Sequence, residues 1–497
     1  MKKLLTLFPV LLASASLAYA ELKVDPIYQS HMVLQQGVQV PVSGTCSGSE
    51  PVTVSFGDQQ VQARVEEGKW LAELSPMKAS STGRKLSVEQ GAERVTLEDV
   101  LVGEVWVASG QSNMLWRMDQ TRDTESMGKA ALPLLRYYHA EPQVHTSKPV
   151  YTEKLRQALR AGNMYKGAWS VSSPETCKRM SAVAWYFGRE LQKKLGVPVG
   201  IIHASLGGSE MLAWMPRAVL ESKYPDALSS QWLESPYVSA WVRQRGRENI
   251  GDELDLPHPF KPGFLFETGI APWVKYPVAG VIWYQGESDA EIQDQEQNRS
   301  LLTELITGWR TEFKRPELPF IMVQLPRIND PSPLRAYWPE FRAVQQQVAD
   351  TLPKVFSCVT IDLGSTNRDV HPPRKLEVGE RMAAVAAARV YGKKGEYSGP
   401  VIKSAQLKGK KVALSFTHAK QLRTVNKAAP TGFELSMDGT TFYPATAELK
   451  GNTVLLSSSE VKAPKHVRYA WAVFLEPNLV NEVGLPTAPF TISIGAH

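Results

Sequence analysis

Cysteine is scarce in this chain: three residues in 497, at Cys46, Cys177 and Cys358. A small odd number at scattered positions excludes a disulfide framework. Cys358 lies in the apolar run VFSCVTIDLG and reads as a core thiol, so at most a Cys46–Cys177 bridge is open, and none is expected. Long apolar runs are also missing. No stretch approaches the roughly 20 uninterrupted apolar residues of a membrane-spanning helix. Runs of five or more Lys/Arg are absent, and two positives of the formal +6 charge are Lys2 and Lys3, which leaves no basic face for nucleic acid. The motifs H-E-x-x-H, the Walker lysine loop and G-x-G-x-x-G do not occur, nor does a Cys/His cluster with metal spacing, so neither metal nor cofactor is expected. Internal repeats and low-complexity tracts are not found. What is present is ordinary globular composition, 43% hydrophobic and 21% charged, with length for two to four domains. Oligomeric state is not legible.

The first twenty residues have a tripartite order: Lys2 and Lys3, a largely apolar stretch from Leu4 to Leu17, then Ala18-Tyr19-Ala20. That is the pattern of a cleavable signal over 1–20, which implies a periplasmic or secreted protein beginning at Glu21. Over 21–100, short alternating runs such as PVTVSF and KLSVEQ, broken by Gly, Ser and Pro, predict an N-terminal β-sandwich. The texture then changes. Over 101–395, the continuous runs VWVAS (105–109), VGIIHASL (199–206), VAGVIWYQ (278–285), PFIMVQL (319–325) and VFSCVTIDL (355–363) alternate with helical periodicity at 180–195, 293–313, 337–351 and 375–391. Continuous apolar strands alternating with helices predict an α/β domain whose parallel sheet is covered on both faces. From 396 to 497 the strand-and-turn texture returns, predicting a C-terminal β-sandwich or jelly roll. Residues 214–275, rich in Trp, Tyr and Pro, read as an irregular insertion forming part of a pocket wall.

In an α/β sheet, ligands gather beyond the carboxyl ends of the strands. Four runs end in chemically useful residues: Gly110-Gln111-Ser112-Asn113-Met114, Gly207-Gly208-Ser209, Gln285-Gly286-Glu287-Ser288-Asp289, and Asn367-Arg368-Asp369-Val370-His371-Pro372. Each alone is ordinary turn material. Together they supply a hydroxyl, close backbone approach, an amide and an Asp/His pair, which are the parts acyl transfer needs. A serine must lose its proton to a base held by an acid, and the tetrahedral oxyanion needs fixed donors. Ser112 is the candidate nucleophile, His371 the general base and Asp369 its orienter. The backbone N–H groups of Ser112, Gly207 and Gly208, with the Gln285 amide, are the candidate oxyanion hole. The turn lacks the second glycine of G-x-S-x-G, so it is not an α/β-hydrolase elbow.

Other residues have plainer readings. His203, His31 and His466 read as structural. Glu287 and Asp289 read as loop ties more readily than as catalysts. Trp106, Trp116, Trp214, Trp283 and Trp338 divide between core and pocket wall, and Asn298-Arg299-Ser300 fits a glycosylation sequon.

The four blocks GEVWVASGQSNM (103–114), SLGGSEMLAWMP (205–216), GIAPWVKYPVAGVIWYQGESD (269–289) and DVHPPRKLEVGERMA (369–383) resemble those of the sialate O-acetylesterase family of SGNH hydrolases, the SASA carbohydrate esterases. HMVLQQ (31–36) and NLVNEVGLPTAPF (478–490) extend the resemblance to both ends. It implies a three-layer α/β/α hydrolase domain with flanking β regions, and metal-free serine-esterase removal of O-acetyl groups from sugars, sialic acids leading and plant polysaccharide esters as the alternative. A third alternative is a glycan-binding protein on an esterase scaffold. SGNH enzymes commonly place the acid three residues before the histidine, where this chain has Arg368. Asp369, two before, is the nearest acid, with Asp362 or a backbone or water substitute as the alternatives. Gln285 stands where the family's third block usually has asparagine. A sialic acid is an anion, so Arg117 and Arg368 are candidate carboxylate partners, with Trp116 and Trp214 as candidate sugar-stacking walls.

Overall fold

The structure is a computed structural model that describes residues 21–147 and 150–495. The signal read at 1–20 lies outside the described residues.

The runs of continuous apolar residues form a central sheet. Its main path contains β1 (Glu93–Gly110), β2 (Leu132–Pro142), β3 (Tyr165–Ser172), β4 (Val199–Ser205), β5 (Gly280–Tyr284), β6 (Phe320–Val323) and β7 (Val355–Cys358), in the order β3-β2-β4-β1-β5-β6-β7. All neighbours are parallel except β3, which runs antiparallel to β2 at the edge. Side chains alternate across the sheet because the strand period is two. Val105 and Val107 of β1 enter one core with Ile202, Ala204, Phe320 and Met322. Trp106 and Ala108 enter the opposite core with Ile201 and Ile321. Each fully buried Val, Ile, Phe or Met side chain among these contributes roughly 1.5–3 kcal/mol.

Helices cover both faces. On one side α1 (Ala182–Leu195) and α5 (Lys375–Arg389) pack on each other and bury Val183, Phe187, Met382 and Val385. On the other, α3 (Gln295–Glu312) and α4 (Trp338–Thr351) bury Leu301, Leu305, Phe341 and Val344. Starts and stops are local. Ser181 caps α1 by accepting the Ala184 N–H, Gly196 ends it at φ 71°, and Asp294 caps α3 through the Gln297 N–H. This is a three-layer α/β/α architecture with β regions on either side.

Those regions attach differently. β1 runs without a break through residue 100: its first half pairs with Ser80–Gln90, and Leu101–Gly103 pairs with Val33–Gln35. The N-terminal β residues share one core with a face of the central sheet. The C-terminal region forms two four-stranded sheets, Val401–Lys408, Lys411–Thr417, Thr453–Ser457 and Thr446–Lys450 in one and Tyr443–Pro444, Phe433–Ser436, His466–Tyr469 and Phe490–Ser493 in the other, around a core of their own. Buried Arg342 tethers it, donating to Leu325 O (2.8 Å), Pro326 O (2.9 Å) and Ala472 O (2.7 Å).

Residues 214–275 are not irregular. They fold into short helices, among them Arg217–Lys223, α2 (Ala240–Ile250) and Phe264–Gly269. The three cysteines are free and buried, so the Cys46–Cys177 bridge is not formed. Asn298 of the sequon is fully buried in α3, donating to Ile292 O at 3.2 Å, which is incompatible with carrying a glycan.

Candidate active site

The site grows out of the carboxyl ends of β1, β4 and β5. β1 ends at Gly110 with φ 139°, where a Cβ would lie 2.1 Å from the Tyr284 carbonyl oxygen. Only glycine passes there, and the chain leaves the sheet at once. The Gln111 N–H donates to Tyr284 O at 3.0 Å, and Ser112 opens a single helical turn, Ser112–Leu115. From the end of β4, Leu206 N–H donates to Gly110 O at 3.2 Å, which brings Gly207 beside the Ser112 Cβ. Gly208 follows at φ 73°, under the Trp241 ring, where a Cβ would come within 2.3 Å of the indole.

Ser112, Gly207, Gly208 and His371 line one cavity of about 400 Å³. Its remaining wall includes Trp241 and Arg245 from α2, Glu287, Glu291 and Arg335. Among the described residues the backbone N–H groups of Ser112, Gly207 and Gly208 make no hydrogen bond. Three free backbone donors beside a hydroxyl and an imidazole are a chemically specific arrangement: donors of this kind accept developing negative charge without reorganising.

His371 is held by two contacts. Its Nδ1 is 3.3 Å from Asp369 Oδ1, and the same carboxylate oxygen accepts the His371 backbone N–H at 2.9 Å. The ring stacks on Trp116, with centroids 4.9 Å apart. With Nδ1 toward Asp369, Nε2 is left for a hydroxyl proton. No hydrogen bond joins Ser112 Oγ to His371 among the described residues; in unliganded hydrolases that contact commonly tightens only when substrate is bound. Burial holds the imidazole below its ordinary value and the Lys375 ammonium adds to this, with Asp369 partly opposing. Asp362 is committed elsewhere, to Arg381 through two 2.7 Å contacts.

Other candidates are not brought to the cavity. Gln285 is buried, and its Nε2 donates to Ser209 O at 3.2 Å and to the Asp289 carboxylate, so its amide is not an oxyanion donor. The physical reason is Asp289, a buried carboxylate that also accepts the Met211 N–H at 3.2 Å and takes the amide as a second donor. Asp289 is a loop tie. Trp214 is fully buried, bonded through Nε1 to Ser209 Oγ at 2.8 Å and packed edge-on against Trp283, so it is core and not a sugar platform. Trp116 backs the His371 ring and does not line the cavity. Arg117 pairs with Asp119 at 3.0 Å, and neither it nor exposed Arg368 lines the cavity.

Residues 269–388 match the family described as carbohydrate esterase, sialic acid-specific acetylesterase. The chain is thus similar to the SASA carbohydrate esterases over that segment. It is 27% identical over 461 residues to the sialate O-acetylesterase of Mus musculus, covering 82% of this chain and 80% of that one. It is 28% identical over 441 residues to the Homo sapiens sialate O-acetylesterase, covering 82% and 78%. The crystal structure of a carbohydrate acetylesterase from Xanthomonas citri superposes with a TM-score of 0.78 at 29% identity, over 95% of this chain and 99% of that one. The matched segment holds the 285–289 loop and His371, while Ser112 and Gly207 line the same cavity from outside it.

Several groups of the esterase site escaped the sequence reading. Arg335 lies 3.3 Å from Asp330 and 3.8 Å from Glu291, and Arg245 lies 3.0 Å from Glu248. Burial pushes Glu291 up to about 7, although Arg335 opposes this. Trp241 supplies the aromatic wall. All three non-acidic residues belong to segments with no strand-end signature, and only the composition of 214–275 pointed to Trp241 and Arg245. Among the described residues no helix is long and apolar enough to cross a membrane.

Proposed function

We propose that this esterase is secreted and removes O-acetyl groups from sialic acids through an acetyl-Ser112 intermediate. The observation that carries the mechanism is one cavity holding Ser112, His371 and three unpaired backbone N–H groups. His371 Nε2 takes the Ser112 proton as Oγ attacks the acetyl carbonyl. The N–H groups of Ser112, Gly207 and Gly208 receive the oxyanion. Collapse breaks the acetyl–sugar bond, and the imidazolium returns its proton to the leaving sugar oxygen. Water, deprotonated by the same imidazole, then releases acetate and restores Ser112. Asp369 orients the ring throughout. Arg335 and Arg245 are the cations available to a sugar carboxylate, and the sialate O-acetylesterases among its relatives support that substrate.

A second reading, acetyl esters of neutral plant polysaccharides, is favoured by one observation: each cavity arginine already has a carboxylate partner, and Glu287 and Glu291 line the same wall. Acetate release from O-acetylated sialic acid compared with acetyl-xylan separates the two. Ser112→Ala is expected to abolish p-nitrophenyl acetate hydrolysis with the fold intact, and full activity in that variant ends the acetyl-serine reading.

A further inference from the structure

Behind the cavity, one side chain joins three of the loops that build it. Asn113 follows the nucleophile and is fully buried. Its Nδ2 donates to Glu287 Oε1, on the loop after β5, and to the Val370 carbonyl at 3.0 Å, one residue before His371. Its Oδ1 accepts from Lys375 Nζ, at the start of α5. Lys375 is itself buried, and its ammonium lies 5.9 Å from the Trp116 ring centroid and 5.3 Å from that of Tyr284. Trp116 is the ring on which His371 stacks. The loops of Ser112, Glu287 and His371 are thus clasped at one amide, with a buried cation on its far side.

A buried ammonium and a buried carboxylate are costly unless paired through hydrogen bonds. Here they are separated by Asn113, which satisfies one with its oxygen and the other with its nitrogen. We propose that Glu287–Asn113–Lys375 is the positioning unit of the base: it holds the His371 loop against the Ser112 loop, and the Lys375 ammonium acts on the imidazole through space. The inference rests on the acetyl-Ser112 reading above and adds its control.

The charged groups bearing on His371 are Asp369 on its own loop and Lys375 on α5. Glu287 faces Lys375 and lines the cavity with His371, as do Glu291, Arg245, Arg335 and His145. Lys375 disfavours protonation of His371 and Asp369 favours it. Burial pushes Lys375 itself down to about 7, with Glu287 and Asp369 opposing.

The test is the pH profile of kcat/KM for p-nitrophenyl acetate, with the pH dependence of fluorophosphonate labelling at Ser112 as a second readout. Lys375→Met keeps the length of the side chain and removes the cation. The acidic limb of both profiles is expected to move to higher pH by roughly half a unit or more, because the base loses a neighbour that opposed its protonation. Asn113→Ala is expected to lower kcat about 100-fold with KM within about twofold, since it leaves the reacting groups in place and loosens their alignment. Glu287→Gln, which retains the acceptor for Asn113, is expected to keep far more of kcat than Glu287→Ala. An unmoved acidic limb in folded Lys375→Met overturns the inference. If that variant does not fold, equal kcat losses in the two Glu287 variants overturn it instead. Neither result touches the acetyl-serine reading, which fails only if Ser112→Ala or His371→Ala stays active.

Discussion

The two walls of the cavity are built by different means. The reacting wall is backbone geometry at strand ends: Gly110 at φ 139°, Gly208 at φ 73° and the turn beginning at Ser112 sit within a few residues of β1 and β4. The facing wall is side chains, Trp241 and Arg245 from α2 and Arg335 from a loop after β6, with Arg245 paired to Glu248 on its own helix and Arg335 to Asp330 and Glu291. The first wall tolerates almost no change, because a Cβ there meets carbonyl or indole atoms. The second can be altered piecemeal, and it is where a substrate would be distinguished.

Four substitutions and conditions strain that contrast. The largest effect is expected for Gly110→Ala. Its Cβ would overlap the Tyr284 carbonyl at 2.1 Å, so the nucleophile turn must shift. Such overpacking costs about 1–3 kcal/mol of stability, and displacement of the nucleophile by about 1 Å is worth about 100-fold in rate. Thermal melting and p-nitrophenyl acetate kinetics check both. A variant with normal kcat would show the reacting wall to be as adaptable as the other.

Next comes Arg335→Gln. KM for an acetylated sialic acid is expected to rise about tenfold, the worth of roughly 1.4 kcal/mol, with a much smaller change on acetyl-xylan. Equal changes on both substrates would remove Arg335 from anion recognition. The same KM in the unaltered enzyme is expected to climb as pH rises through about 7, because Glu291 then ionises and competes with the substrate for Arg335.

The pH limit of the chemistry itself is a smaller but cleaner test. On the proposed mechanism the base works when neutral, and burial with Lys375 holds His371 below its ordinary value. The acidic limb of kcat/KM should therefore lie below about 6.5, the ordinary imidazole value. A limb above that value contradicts the environment seen here. Smallest of all, Arg117→Ala and Arg368→Ala should change KM less than about twofold, as expected of surface arginines whose ion pairs are worth about 0–1 kcal/mol.

The legible part of the molecule was the part governed by short-range rules. Strand runs at 105–109 and 199–206 and helices at 180–195 and 337–351 announced themselves by period. β2 and β3 did not, because β3 is a half-exposed edge strand and β2 carries Arg136 and His139 among its apolar residues. Asp369 beside His371 was legible for the same reason as the helices, since residues two apart can face one another. Gln285 and Trp214 were misjudged because each sits in a motif next to the site and is turned away by a partner a few residues along the chain: Asp289, itself tied to distant Met211, and Ser209 beneath the indole.

Taken by itself, the amino-acid order determined that strands would alternate with helices and that a hydroxyl and a glycine pair would stand at strand ends. These follow from periodicity and backbone sterics, which act over a few residues. Only the tertiary structure decided which amide would face inward, which arginines would border the cavity, and that Asn113 would join Glu287 to Lys375. Those outcomes depend on which buried polar group finds which partner, and such groups must be satisfied by whatever the fold brings within about 3 Å.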